Sequence, residues 1–80
     1  MTIVHVRYFA VLRERCGLSD ETIQTEASTV GDFVLELIAR HQLGLPPSLI
    51  RVAHRQEFIE LDTALIEGME LVLIPPVAGG

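Results

Sequence analysis

The stretch Thr29-Val30-Gly31-Asp32-Phe33-Val34-Leu35-Glu36-Leu37-Ile38-Ala39-Arg40-His41 carries the strongest periodicity in the chain. Val30, Phe33, Val34, Leu37, Ile38 and His41 recur at i, i+3, i+4, i+7, i+8 and i+11, which lines them along one side of an α-helix that must lie on a core. Thr29 and Asp32 have the spacing of a capping box, the threonine hydroxyl accepting from the third helical N–H. Arg40 and His41 put positive charge where a helix C-terminus favours it. Gly44, Pro46 and Pro47 are expected to end the helix.

On the N-terminal side, residues 2–9 are rich in β-branched and aromatic types and read as a strand. Val4, Val6 and Tyr8 share its core face; Ile3, His5, Arg7 and Phe9 share the other. Ala10–Cys16 can make two helical turns, with Gly17 placed to stop them. Residues 21–26 form a second strand, expected to close a hairpin-like pair with the first. On the C-terminal side, residues 49–53 and 58–61 read as short strands, Asp62-Thr63 and Glu67-Gly68 as turns, and Glu70–Ile74 as the final strand.

Two strands, one strong helix and further short strands make an α+β order with the helix on one sheet face. The spacing suits a ubiquitin-like β-grasp, a mixed four- to five-stranded sheet whose first and last strands lie side by side and parallel at its centre. A ferredoxin-like fold needs a second helix of equal strength, and residues 42–69 do not supply one. Residues 1–74 are thus the domain, and residues 75–80 a tail. In the last strand Leu71 and Leu73 point one way and Val72 and Ile74 the other, so both faces are apolar although one helix covers only one. Either loops fold over the second face or a partner does, with Phe9 and Phe58 joining Ile74 there.

Composition narrows the function. Eighty residues make one small core with little surplus for a deep, self-contained active site. Eleven acidic against six basic residues give a net charge of -5, without the basic footprint of a nucleic-acid binder. Cys16 is the single cysteine, which fits a reducing, cytoplasmic setting. The apolar runs are too short to span a membrane, and arginines interrupt the N-terminal one, against a signal peptide. His5, His41 and His54 lack metal-ligand spacing and read as surface or half-buried side chains; no bound cofactor or metal is expected. Glu57, Glu60, Glu67 and Glu70 read as solvated charges, and Cys16 as incidental, because a helix C-terminus opposes a thiolate.

The chemistry is expected in Pro75-Pro76-Val77-Ala78-Gly79-Gly80, directly after the last strand. The two prolines stop sheet pairing and stiffen an extended exit. Val77 and Ala78 are slim enough to thread a groove, and glycines let a catalytic pocket approach a terminal carboxylate closely. A carboxylate is a poor electrophile until activated, for instance as an acyl-adenylate, after which a sulfur or amine nucleophile can take it.

Phe9-Ala10-Val11-Leu12-Arg13-Glu14, Gly17, the Thr29-Val30 helix start, Glu67-Gly68 and the Pro75-Pro76-Val77-Ala78-Gly79-Gly80 end together resemble the small subunit of molybdopterin synthase, the MoaD family of sulfur carrier subunits. The resemblance implies that Gly80 is adenylated by a ubiquitin-activating-type enzyme using ATP and converted to a thiocarboxylate. It implies that the tail enters the active site of a large subunit and that sulfur passes to cyclic pyranopterin monophosphate, building the molybdopterin dithiolene. The family's complex is a heterotetramer, and the small subunit is not catalytic alone. This agrees with the residues, since the chain has no lysine, no acid–base pair at recognisable spacing and no phosphate-cradling glycine loop. One departure is Ala53-His54-Arg55-Gln56-Glu57, where the family builds a turn from small polar residues such as asparagine. The rival readings are a sulfur carrier for thiamine thiazole synthesis, a ubiquitin-like modifier joined to lysines through Gly80, and an interaction module whose tail is irrelevant.

Overall fold

The computed structural model describes residues 1–76. Strands β1 (Thr2–Tyr8), β2 (Asp20–Thr25), β3 (Arg51–His54), β4 (Glu57–Ile59) and β5 (Glu70–Ile74) form one sheet in the order β2-β1-β5-β3-β4. The first and last strands pair in parallel, Val6 opposite Leu71 and Tyr8 opposite Leu73, while every other pairing is antiparallel. Helix α1 (Ala10–Cys16) follows β1, and the long helix α2 (Val30–His41) packs across one sheet face. This is the expected α+β grasp. No helix among the described residues is long and apolar enough to cross a membrane.

The core is the meeting of two periodicities. Val4, Val6, Tyr8, Leu71 and Leu73 from the alternating strands meet Val30, Phe33, Val34 and Leu37 from the helical stripe, all buried. Burying those four helix side chains contributes about 6–12 kcal/mol of transfer free energy. Thr29 Oγ1 accepts from the Asp32 N–H at 3.2 Å, as the capping pattern predicts. Two further N-terminal donors are satisfied from outside the helix: Val30 N–H by the Thr63 carbonyl at 2.8 Å and Gly31 N–H by the Leu61 carbonyl at 2.7 Å. Gly31 is needed for this approach, because a Cβ there would stand 3.0 Å from the Leu61 oxygen and 3.2 Å from its Cβ.

Several boundaries differ from the sequence reading, and most have an identifiable reason. Helix α2 stops at His41, before Gly44, with Gln42 taking the left-handed conformation (φ 51°). Leu43 must turn back into the core, where it is fully buried and its carbonyl accepts from the Arg15 guanidinium. Pro47–Leu49 form a 3₁₀ turn, so β3 starts at Arg51 rather than at residue 49. Strand β2 is displaced by one residue and ends at Thr25, whose hydroxyl accepts from the Ala27 N–H and donates to Glu36 Oε1. Strand β4 covers Glu57–Ile59 rather than residues 58–61, because His54 pairs with Glu57 across a two-residue turn.

That turn is the departure from the family pattern. Arg55 (φ 53°) and Gln56 (φ 69°) both occupy the left-handed region, as a type I′ hairpin demands. Side chains there cost roughly 1–2 kcal/mol each relative to a permissive residue. The double substitution Arg55→Asn, Gln56→Gly should therefore raise unfolding free energy by roughly 1–2 kcal/mol in denaturant titration; a loss of stability would disprove the turn assignment. At Gly31 the opposite holds: Gly31→Ala should destabilise by about 1 kcal/mol, although alanine is the better helix former by about that amount.

Candidate functional site

Strand β5 lies in the middle of the sheet and delivers the chain to Pro75 and Pro76. Pro75 is buried and Pro76 exposed, so the chain surfaces between these two residues. The Phe9 N–H donates to the Leu73 carbonyl at 3.2 Å, which closes the parallel ladder where β5 ends. Val77, Ala78, Gly79 and Gly80 lie outside the described residues.

Register decides what surrounds the exit. Arg7, Val72, Ala53 and Phe58 stand in one row across the sheet face opposite α2. In the next row, Ile74 faces Arg51, with Phe9 one step beyond Tyr8 on β1's side. Phe9, Phe58 and Ile74 thus share the open face at the tail end, with Phe9 56% and Phe58 61% exposed and Ile74 half-buried. Arg51 lies diagonally from Phe58 and places its guanidinium carbon 5.0 Å from the ring centroid. Leu49, Arg51, Phe58, Ile74, Pro75 and Pro76 border a groove of about 480 Å³ at this point.

Beneath the same sheet end, on the core side, Tyr8 Oη donates to Glu21 Oε2 at 2.5 Å and His41 Nε2 reaches the same oxygen at 2.5 Å. The Tyr8 and His41 rings meet edge to face, centroids 5.7 Å apart. Burial pushes the Tyr8 hydroxyl well above its usual range, and the Glu21 carboxylate pushes it further. Burial alone would raise the Glu21 carboxyl as well, but the hydrogen bonds from Tyr8 and His41 and the nearby Arg40 charge outweigh it and hold Glu21 below its ordinary value. This cluster fastens the end of α2 to β1 and β2.

Sequence reading found the open-face aromatics but missed Arg51 and the Tyr8–Glu21–His41 cluster. Glu21 gave a signal: it falls in phase with Ile23 and Thr25, both buried, on the core face of β2. Arg51 gave none, since its stacking depends on the β3–β4 register. The other histidines are half-buried, His5 with Nδ1 against Thr22 Oγ1 and His54 with Nδ1 against the Glu70 carbonyl. Among the described residues no three potential ligands gather to hold a metal. Cys16 is half-buried, with Sγ 3.3 Å from the Leu18 carbonyl, and Glu57, Glu60, Glu67 and Glu70 are exposed.

The ThiS family pattern matches residues 6–80, from within β1 through the tail. The chain belongs to the ThiS family. Within it, the molybdopterin synthase sulfur carrier subunit of Drosophila ananassae is 33% identical over 81 residues, covering 96% of this chain and 90% of that one. Among solved structures, SAMP1 from Haloferax volcanii superposes with a TM-score of 0.78 at 30% identity, covering 98% of this chain and 99% of that one. A chain of the Amycolatopsis orientalis BexX/CysO complex shares the fold at a TM-score of 0.66 and 24% identity, covering 96% and 99%. As a ThiS/MoaD-type protein, the chain is a ubiquitin-like sulfur carrier.

The Glu21 cluster sets an acid dependence. Because its folded-state pKa lies below the ordinary value of 4.5, Glu21 adds stability that is complete above that value and lost as pH falls through the folded pKa. Glu21→Gln should cost about 1.5–3 kcal/mol at neutral pH. Thermal melts of the two proteins should converge as pH drops below 4.5; a gap independent of pH would remove the carboxylate from the explanation.

Proposed function

We propose that this sulfur carrier is the small subunit of a molybdopterin synthase. The Gly80 carboxylate attacks the α-phosphorus of ATP on a ubiquitin-activating-type enzyme, pyrophosphate leaves, and an acyl-adenylate forms. A sulfur nucleophile then displaces AMP, leaving a thiocarboxylate in which one oxygen of Gly80 is replaced by sulfur. The segment Pro75-Pro76-Val77-Ala78-Gly79-Gly80 enters the large subunit, and the sulfur passes to cyclic pyranopterin monophosphate as the dithiolene is built. The large subunit supplies the acid–base groups and the anion site, while this chain supplies the sulfur at high effective concentration. Phe9, Phe58 and Ile74 seat the domain against it, within a cytoplasmic heterotetramer.

The observation that carries this reading is the likeness, along 96% of the chain, to a relative that bears that role in its name. The geometry is compatible with it: the chain leaves a central strand beside a face opposite α2 where Phe9 and Phe58 are exposed, so a partner can receive both together. A second reading is favoured by the 30% identity to SAMP1, named a small archaeal modifier protein. In that case an amine replaces sulfur as the nucleophile on the adenylate and an isopeptide bond forms. The chain has no lysine with which to extend itself into a polymer.

Intact-mass measurement after incubation with an adenylating enzyme, ATP and a sulfide source separates these. Exchange of one oxygen for sulfur, reversed on adding large subunit and pterin precursor, is the expected outcome. A thiocarboxylate that the large subunit does not consume points to another thiolation pathway, such as thiamine thiazole synthesis. Conjugates that survive boiling in denaturant point to the modifier. If a competent activating enzyme yields no adenylate at all, the carrier reading is wrong.

A further inference from the structure

We propose that Arg51, stacked on Phe58 beside the tail exit, docks a carboxylate of the adenylating enzyme, so that a charged anchor rather than apolar contact alone sets the approach of the tail. The proposal rests on the reading that the tail is activated at its terminal carboxylate, which sulfur carrier and modifier share. That step comes first in both, so its enzyme is the partner this surface must meet.

Three observations support it. The first is charge. In a chain of net charge -5, the groove where Pro75 and Pro76 emerge is bordered, among the described residues, by one cation and no acid. Glu60 lies in the adjoining groove on the β4 side, yet it makes no ion pair with Arg51. An acidic protein repels acidic partners at long range, and Arg51 at the exit, with Arg7 one row away on β1, gives that repulsion a local exception.

The second is preorganisation. Arg51 is exposed but lies over the Phe58 ring, its carbon 5.0 Å from the centroid. Stacking removes rotamer freedom that binding would otherwise have to remove, and a guanidinium can meet a carboxylate through two parallel N–H···O bonds. Phe58 is 61% exposed, between Glu57 and Ile59 on a short edge strand, so a partner that covers it also dries the ion pair.

The third is position. Arg51 faces Ile74, the last residue of β5, directly across the antiparallel ladder. A carboxylate held by Arg51 is therefore in fixed register with the residue before Pro75. Small errors at the anchor become errors in where the tail points, which gives a rigid strand pair an advantage over a loop.

The test is the kinetics of adenylation, read as pyrophosphate release against carrier concentration, with direct binding to the same enzyme measured by calorimetry. Arg51→Gln should raise KM and Kd about tenfold and leave kcat at saturating carrier unchanged. Arg51→Lys, which keeps the charge without the fork, should fall between, and Phe58→Leu should weaken binding with Arg51 intact. Added salt should weaken the wild type more steeply than Arg51→Gln. Both positions are exposed, so matching melting temperatures are expected for the three variants and exclude misfolding. A KM and Kd for Arg51→Gln within twofold of wild type, an equal salt slope, or a defect seen only with the large subunit overturns the proposal. Should wild type bind the enzyme without being adenylated, the functional reading fails, while the Arg51 dependence of that binding still decides this one.

Discussion

The parallel pairing of β1 with β5 is the constraint on which the remainder depends. It joins the two ends of the described chain at the sheet centre, Tyr8 beside Leu73, and leaves β2 and β4 as the outer strands. Everything between them must make the crossover on the side where α2 lies, so one face becomes core and the other stays open. The same pairing fixes the place where the chain leaves the domain. A tail leaving an edge strand could swing beside the sheet, whereas one leaving β5 emerges between Phe9 on one flank and Arg51 on the other.

The two faces divide the work. On the covered face, Val30, Phe33, Val34 and Leu37 pack α2 into the core, and the Tyr8–Glu21–His41 cluster ties the C-terminal end of α2 to β1 and β2. On the open face, Phe9, Phe58 and Ile74 gather with Arg51 near the exit, and His5 and Glu70 occupy the far end. A small domain can leave a whole sheet face open only if its other face suffices for stability. The positive φ values at Arg55 and Gln56 show that not every local conflict has been removed.

Much of the fold was legible because its signals are local. The helix stripe, the Thr29 cap, the Gly17 stop and the alternation of Val4, Val6 and Tyr8 each depend on near neighbours in sequence, and each stands as read. The boundaries that shifted were set by contacts outside each element's own repeat pattern. Leu43 ends α2 early by entering a core built mostly of other segments, and Glu57 joins β4 because His54 lies opposite it. In the same way Phe58 could be picked out as an exposed aromatic, but its stacking under Arg51 could not, since that needs the β3–β4 register.

The sequence by itself determined the class of this protein: an acidic grasp domain with one amphipathic helix, a last strand apolar on both faces, and two prolines directly after that strand. Periodicity and residue size encode those features directly. Only the tertiary structure decided which side chains stand around the exit and how they are held. Tyr8, Glu21 and His41 are brought onto one oxygen by helix packing on the β1–β2 pair. Arg51, Phe58, Ile74 and Phe9 are brought to one end of one face by strand register. Contacts between strands depend on which residues are paired across the ladder, and a one-residue slip would turn Arg51 and Phe58 to opposite faces.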